Sequence, residues 1–353
     1  MPSPVPSPVL PPVAAPVAPQ DAPEFAPPLA ALNGAVPAAP AWFEQALTHA
    51  PERAHVNVDG AQIETLAWGR RGDPGLLLLH GNGAHADWYS FIAPLLVGGQ
   101  NGVQAPGQPG SGAGRRVVAM SFSGMGRSDW RAQYSVAQWA EEALAAAEVT
   151  GLFDAATPPV VAAHSFGGFP LMTLAARHGQ RLRRAIIMDT PLRAPEELKA
   201  REAKRQARAG AADFVAKVHA TEALALARFR FLPPQGCEHV FIADHIARHG
   251  LTPVVDGAGQ PGFSWRFDPT LFQRFAFGKP QLDLGQAKCP VMLVRGGRSR
   301  LIPPELLALA VSLAPAGTPT CELPDADHHL MVDQPLAFAA MLARLADEDG
   351  MAA

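Results

Sequence analysis

The stretch AAHSFGGF, residues 162–169, sets a serine between an apolar run and the helical pattern PLMTLAARHG. A strand over 160–163 and a helix over about 167–178 leave Ser165 on the turn between them. Strand, sharp turn with serine and helix together make a nucleophile elbow, in which small neighbours, here Ala163 and Gly167, let the turn close and push the hydroxyl outward. As a bare string the pattern is weak, and its place between a strand and a helix is what gives it weight. A serine hydroxyl is a poor nucleophile near neutral pH, so it needs a base within hydrogen-bond reach and a third group to orient that base. In chains built on such an elbow the order is nucleophile, acid, then a histidine near the C-terminus. The stretch LPDADHHLMVDQPLAF, residues 323–338, offers His328 and His329 in that place. Asp325, Asp327 and Asp333 beside them could equally hold either ring as a solvated structural cluster.

Positioning these groups requires a core, and 353 residues, nearly half of them hydrophobic and 17% charged, suffice for one large core or two small ones. A net charge of -3 gives no electrostatic case for nucleic acid or an anionic membrane surface. Cys237, Cys289 and Cys321 lie far apart without paired spacing, so they read as buried free thiols. Residues 1–45 are rich in proline and alanine and read as a disordered, partly extended tail, so deletion of residues 1–40 is expected to leave thermal stability unchanged. Their prolines interrupt any signal-like apolar run, and no stretch reaches the length of a membrane span, so a cytoplasmic location is expected.

From Ala54 onward short apolar runs alternate with amphipathic helical stretches, the pattern of a doubly wound, mostly parallel α/β sheet of about eight strands. GLLLLHG, RRVVAMSF, PPVVAAH, RRAIIMD and PVMLVRG are apolar on both faces, as buried parallel strands are. SVAQWAEEALAAAEVTG reads as a helix with a serine cap and a terminal glycine. Two segments interrupt the alternation. Residues 97–116 are glycine- and proline-rich and read as a long surface loop. Residues 190–287 form an insertion with two basic helices, around EELKAREAKRQARA and ADFVAKVHATEALALARFRF. Between Arg193 and Arg230 nine basic residues outnumber five acidic ones, which a solvated helix face explains.

On the elbow around Ser165, the histidine place in LPDADHHLMVDQPLAF, the strand and turn LLLLHGNGAHADWY and the glycine-spaced SFSGMGRSDW, residues 54–347 resemble the α/β-hydrolase superfamily, with a serine nucleophile and a lid. The resemblance makes 46–189 and 288–353 the core and 190–287 a helical cap after strand six. It implies His328 as base, with His329 the adjacent rival. It also implies the backbone N–H groups of Asn82 and Phe166 as oxyanion donors. Ser121 stands where that superfamily often has aspartate, a change to structure more than to chemistry. A sharper departure is RGGRSRLIPPE, where Ser299 and Arg300 occupy the usual place of the acid. Some members carry the acid one strand earlier, which implies Asp189; otherwise Asp189 only caps the first lid segment.

The activity implied is hydrolysis of a carboxylic ester or related carbonyl bond through an acyl-enzyme. The substrate would be a small apolar ester-like molecule, with no metal or organic cofactor. Trp88, Phe229, Phe231 and Trp265 are candidate pocket residues, although aromatic side chains in a cap also serve simply to pack it. Carbon–carbon bond hydrolysis and cofactor-free perhydrolysis fit the same triad. A non-catalytic binding module is the reading of another class, motivated by the missing acid at 299–300. Oligomeric state is not readable from the sequence.

Overall fold

The computed structural model describes residues 25–99, 102–103, 114–193, 197 and 216–348. The strands run β1 Glu52–Val58, β2 Ala61–Trp68, β3 Gly75–Leu79, β4 Arg116–Met120, β5 Tyr134–Ser135 and β6 Val160–His164. They continue as β7 Arg184–Met188, β8 Leu251–Val255, β9 Pro261–Trp265, β10 Phe275–Ala276, β11 Val291–Gly296 and β12 Thr320–Leu323. Eight of them form one sheet in the order β1-β2-β4-β3-β6-β7-β11-β12. β1 and β2 run antiparallel, β2 lies antiparallel to β4, and every other pairing is parallel. This is the doubly wound, mostly parallel architecture expected.

The two-faced apolar strands divide their residues between two cores. Leu76, Leu78, Val117, Ala119, Val160, Ala162, Ile186 and Met188 face one, and Leu77, Leu79, Val118, Met120, Val161, Ala163, Ala185 and Ile187 face the other. A period of two in side-chain direction makes that division automatic, and both faces must then be covered. α1 Ala41–Thr48, α2 Ala93–Val97 and the C-terminal helix Pro335–Asp347 cover the first face. α3 Val136–Val149 and α4 Gly168–His178 cover the second. α3 starts as its sequence indicates, with Ser135 Oγ accepting the Gln138 N–H at 2.9 Å.

Three expectations change. Residues 25–45 are not an extended tail: Leu29 and Phe43 are buried in the first core, and Phe43 meets Phe241 edge-on at 4.9 Å. Proline and alanine dominate the composition there, but a few large apolar anchors suffice to dock the segment, so deletion through residue 40 would remove the buried Leu29. Residues 1–24 lie outside the described set. Phe43→Ala is expected to lower unfolding free energy by about 3–5 kcal/mol, the usual cost of emptying a buried aromatic site, readable by urea denaturation; an unchanged midpoint would show that the segment does not pack.

The described part of the insertion is also less helical than its pattern suggests. Residues 216–221, placed in the second basic helix, are not helical, with His219 making an isolated bridge to Phe263; the helix there is only Glu222–Leu226, capped by Thr221. β8 and β9 form an antiparallel hairpin, and among the described residues of the insertion the longest helix is Val240–His249. Val218 and Thr221 are β-branched, and the His219 bridge to Phe263 overrides helix propensity there. The first basic helix and most of the 97–116 loop lie outside the described residues. Finally, Cys289 is buried, but Cys237 and Cys321 are partly exposed; all three thiols are free.

Candidate active site

Six parallel strands end on one side of the sheet, and the segments that follow five of them, β3, β6, β7, β11 and β12, converge there, as expected for the carboxyl edge of a doubly wound sheet. β6 stops at His164 and Ser165 opens a single 3-10 turn, Ser165–Gly167, that runs into α4. Ser165 has φ +53°, a left-handed conformation that costs a non-glycine residue roughly 1–2 kcal/mol. The bend survives because its surroundings fix it. Thr190 Oγ donates to the Ser165 carbonyl at 2.8 Å. A Cβ at Gly167 would sit 2.5 Å from the His80 carbonyl oxygen, so only glycine lets the elbow close against the end of β3. The strain aims the serine hydroxyl away from the sheet.

The structure brings Ser165, His328 and Asp189 together. His328 Nε2 lies 2.9 Å from Ser165 Oγ, and His328 Nδ1 lies 2.6 Å from Asp189 Oδ2. The imidazole and carboxylate are almost completely buried. Asp189 is also left-handed, with φ +48°, and its carboxylate turns toward His328 rather than capping the segment that follows. Gly296 N–H donates to its Oδ1 at 2.9 Å and Ser299 Oγ–H to its Oδ2 at 2.6 Å. The side chain that replaces a carboxylate after β11 thus supports the carboxylate that follows β7. Sequence reasoning registered Ser299 only as a missing acid.

The histidine loop is held from below. Asp327 Oδ1 accepts the His328 N–H at 2.9 Å, and Asp333 Oδ2 accepts the Asp327 N–H at 2.8 Å. Asp325 pairs with Arg298 at 2.5 Å. These carboxylates therefore brace backbone and surface; neither histidine ring is theirs. Burial pushes the Asp333 carboxyl up to about 7. Gln235, from the insertion, ties the two units: its Oε1 accepts the His329 N–H at 2.9 Å and its Nε2 donates to Asp333 at 2.8 Å. His329 contacts neither Ser165 nor Asp189 by hydrogen bond, and both its ring nitrogens are buried without a hydrogen bond of normal geometry.

Beside the nucleophile runs the turn after β3. A Cβ at Gly81 would lie 3.0 Å from Ser165 Cβ, so this backbone passes against the elbow and places Asn82 at its mouth. His80 fixes the turn. Its Nε2 accepts the Phe122 N–H at 3.0 Å, leaving Nδ1–H to donate to the Gly81 carbonyl at 2.7 Å, and burial pushes its pKa down to about 3. A neutral ring with one donor and one acceptor is what that geometry demands.

Ser121 has a similar structural explanation. Its hydroxyl donates to Glu64 Oε2 at 2.7 Å and accepts the Ala86 N–H at 2.9 Å. Glu64 from β2, fully buried and paired with Arg53, supplies the negative charge beneath the loop. Burial works to raise the Glu64 carboxyl, but bonds from Ser121 and the Arg127 N–H, with the Arg53 charge, hold it below the ordinary value.

The four pocket candidates form one aromatic chain: Trp88 to Phe231 at 6.0 Å, Phe231 to Phe229 at 5.1 Å and Phe229 to Trp265 at 5.9 Å between ring centres. It reaches the site through His329, 5.3 Å from Trp88 and 4.8 Å from His328. The Phe166 ring points elsewhere, into a second cluster with Trp139, Phe169, Phe275 and Phe277.

A sequence profile described as the alpha/beta hydrolase family matches residues 76–341. A curated relative, 2-hydroxymuconate semialdehyde hydrolase of Pseudomonas putida, is 34% identical over 101 residues; the match covers 27% of this chain and about a third, 34%, of that protein. Among solved structures, a thioesterase domain from the curacin biosynthetic pathway superposes with a TM-score of 0.63 at 22% identity, over 84% of this chain and 99% of that one. An esterase of Mycobacterium tuberculosis gives 0.62 at 21% identity, over 87% and 96%. At those identities the two superpositions speak for the fold alone. Among the described residues no helix is long and apolar enough to cross a membrane.

Proposed function

The chain belongs to the alpha/beta hydrolase family, and from that premise we propose that it is a serine hydrolase that cleaves a carboxylic ester or related carbonyl bond through an acyl-enzyme. The observation that carries the reading is the unbroken chain from Ser165 Oγ through His328 to the buried Asp189. His328 Nε2 takes the hydroxyl proton as Oγ attacks the carbonyl carbon, and Asp189 holds Nδ1–H, stabilising the imidazolium that forms. Asn82 and Phe166 offer backbone N–H groups to the oxyanion, each worth about 2.7–4 kcal/mol in the transition state. His328 then protonates the leaving group, and water activated by the same ring releases the acyl chain. The aromatic run from Trp88 to Trp265 suits an apolar acyl or leaving group.

A second reading is carbon–carbon bond hydrolysis on the same three residues, favoured by the local likeness to the Pseudomonas putida hydrolase. The binding-module reading loses its motive, because Asp189 stands within contact of His328 where Ser299 and Arg300 offer no acid.

A panel of p-nitrophenyl esters of graded acyl length tests the proposal. The expected result is steady turnover on at least one ester, preceded by a burst of nitrophenol equal to the enzyme present. A folded protein that turns over none of the panel, yet cleaves a vinylogous 1,5-diketone, would favour the second reading.

A further inference from the structure

His329 has no part in the mechanism above. It is 3% exposed, and neither ring nitrogen makes a hydrogen bond of normal geometry, although the Pro233 backbone lies near enough to act on the ring. Leaving a buried polar group unsatisfied costs about 1–3 kcal/mol, so a histidine kept this way beside the reacting atoms calls for a physical reason. Its backbone is clamped by Gln235, and Trp88 and Phe231 wall the ring at 5.3 and 5.1 Å between ring centres. Two more imidazoles stand beside it, His328 at 4.8 Å and His164 at 5.6 Å between ring centres. One nitrogen from each of the three rings falls within 4.8 Å of the other two.

We propose that His164, His328 and His329 form a site for a borderline transition-metal ion, zinc first, whose occupancy silences the enzyme by drawing the His328 lone pair away from Ser165.

The ligand form of histidine is the neutral ring, which has one N–H and one lone pair. His164 Nε2–H donates to the His328 carbonyl at 2.8 Å, which leaves its lone pair on Nδ1. His328 keeps Nδ1–H on Asp189, the carboxylate–imidazole arrangement that orients metal-bound histidines, and its lone pair sits on Nε2. That is the lone pair the Ser165 hydroxyl otherwise uses, so metal and catalysis compete for one atom.

At Zn–N distances near 2.0–2.1 Å, ligand nitrogens of a tetrahedral site stand roughly 3.3 Å apart, so the three rings must close in from their present spacing of up to 4.8 Å when a metal binds. Three nitrogen ligands select zinc, nickel or copper over magnesium and calcium, which require oxygen. The binding step stands independently of the hydrolase reading, and the inhibition rests on it.

The test titrates the full chain, stripped with EDTA, with zinc, nickel and magnesium chlorides by calorimetry, and follows ester turnover and fluorophosphonate labelling of Ser165 in parallel. One equivalent of zinc should bind, magnesium should give no heat, and turnover and labelling should fall at the same midpoint and recover on EDTA. His329→Phe and His329→Leu, checked for folding by circular dichroism, should each weaken zinc binding at least about tenfold. Equal zinc affinity in either folded variant overturns the site. Bound zinc that leaves wild-type labelling unchanged overturns the inhibition whether or not the variants fold. If the protein proves to have no esterase activity and no labelling, the calorimetric comparison still decides the site by itself.

Discussion

Ser165→Ala is expected to lower turnover of any active ester by about 10⁶-fold, the scale on which loss of the nucleophile removes an entire triad. The size follows from how the three residues act as a unit. Without Oγ, His328 and Asp189 have nothing to activate, and what survives is the contribution of the oxyanion donors and of binding, about 10³–10⁴ over water. The fold should not suffer. Alanine meets the same left-handed strain at φ +53° that serine already bears, and the Thr190 bond goes to the backbone carbonyl, which the substitution keeps. Steady-state rates on the best ester of the panel, with circular dichroism as control, check this. A variant retaining more than a few per cent of wild-type turnover would move the nucleophile elsewhere and remove the basis of the functional reading.

The elbow was legible because it is local: strand, serine and helix are contiguous, and the buried strand announces itself by apolar residues on both faces. The alternation of apolar runs and amphipathic stretches specifies the sheet for the same reason, since every parallel strand needs a crossover helix. What was not legible is pairing between distant segments. Nothing in RGGRSRLIPPE indicates that Ser299 donates to a carboxylate 110 residues away, or that Glu64 from β2 would answer for the charge absent at Ser121. The docking of residues 25–45 was hidden by composition, because Leu29 and Phe43 are two anchors among many prolines and alanines. In the insertion, residues 216–221 have helical spacing in sequence but are held by a bridge from His219 to Phe263, a tertiary override of a local preference.

Asp189→Asn is expected to reduce turnover by about 10⁴-fold while leaving the serine in place. The cause is a proton rather than a lost contact. The carboxylate only accepts, so it compels Nδ1 of His328 to carry the hydrogen and leaves the Nε2 lone pair facing Ser165. An asparagine can present an N–H to Nδ1, because Gly296 N–H holds its one oxygen at the Oδ1 place and leaves the NH2 at the Oδ2 place, between His328 and a Ser299 hydroxyl that can turn to accept; the ring then protonates on Nε2 and cannot act as base. Ser299→Ala separates this from a general loosening of the site. It removes one charge-assisted bond, worth about 1.5–3 kcal/mol, yet leaves the charge and the Gly296 donor, so turnover should fall only about tenfold. The ordering is the test: kcat of Asp189→Asn far below that of Ser299→Ala, with KM little changed in either, assigns the acid to Asp189. Near-equal losses, or an Asp189→Asn enzyme close to wild type, would place the acid elsewhere.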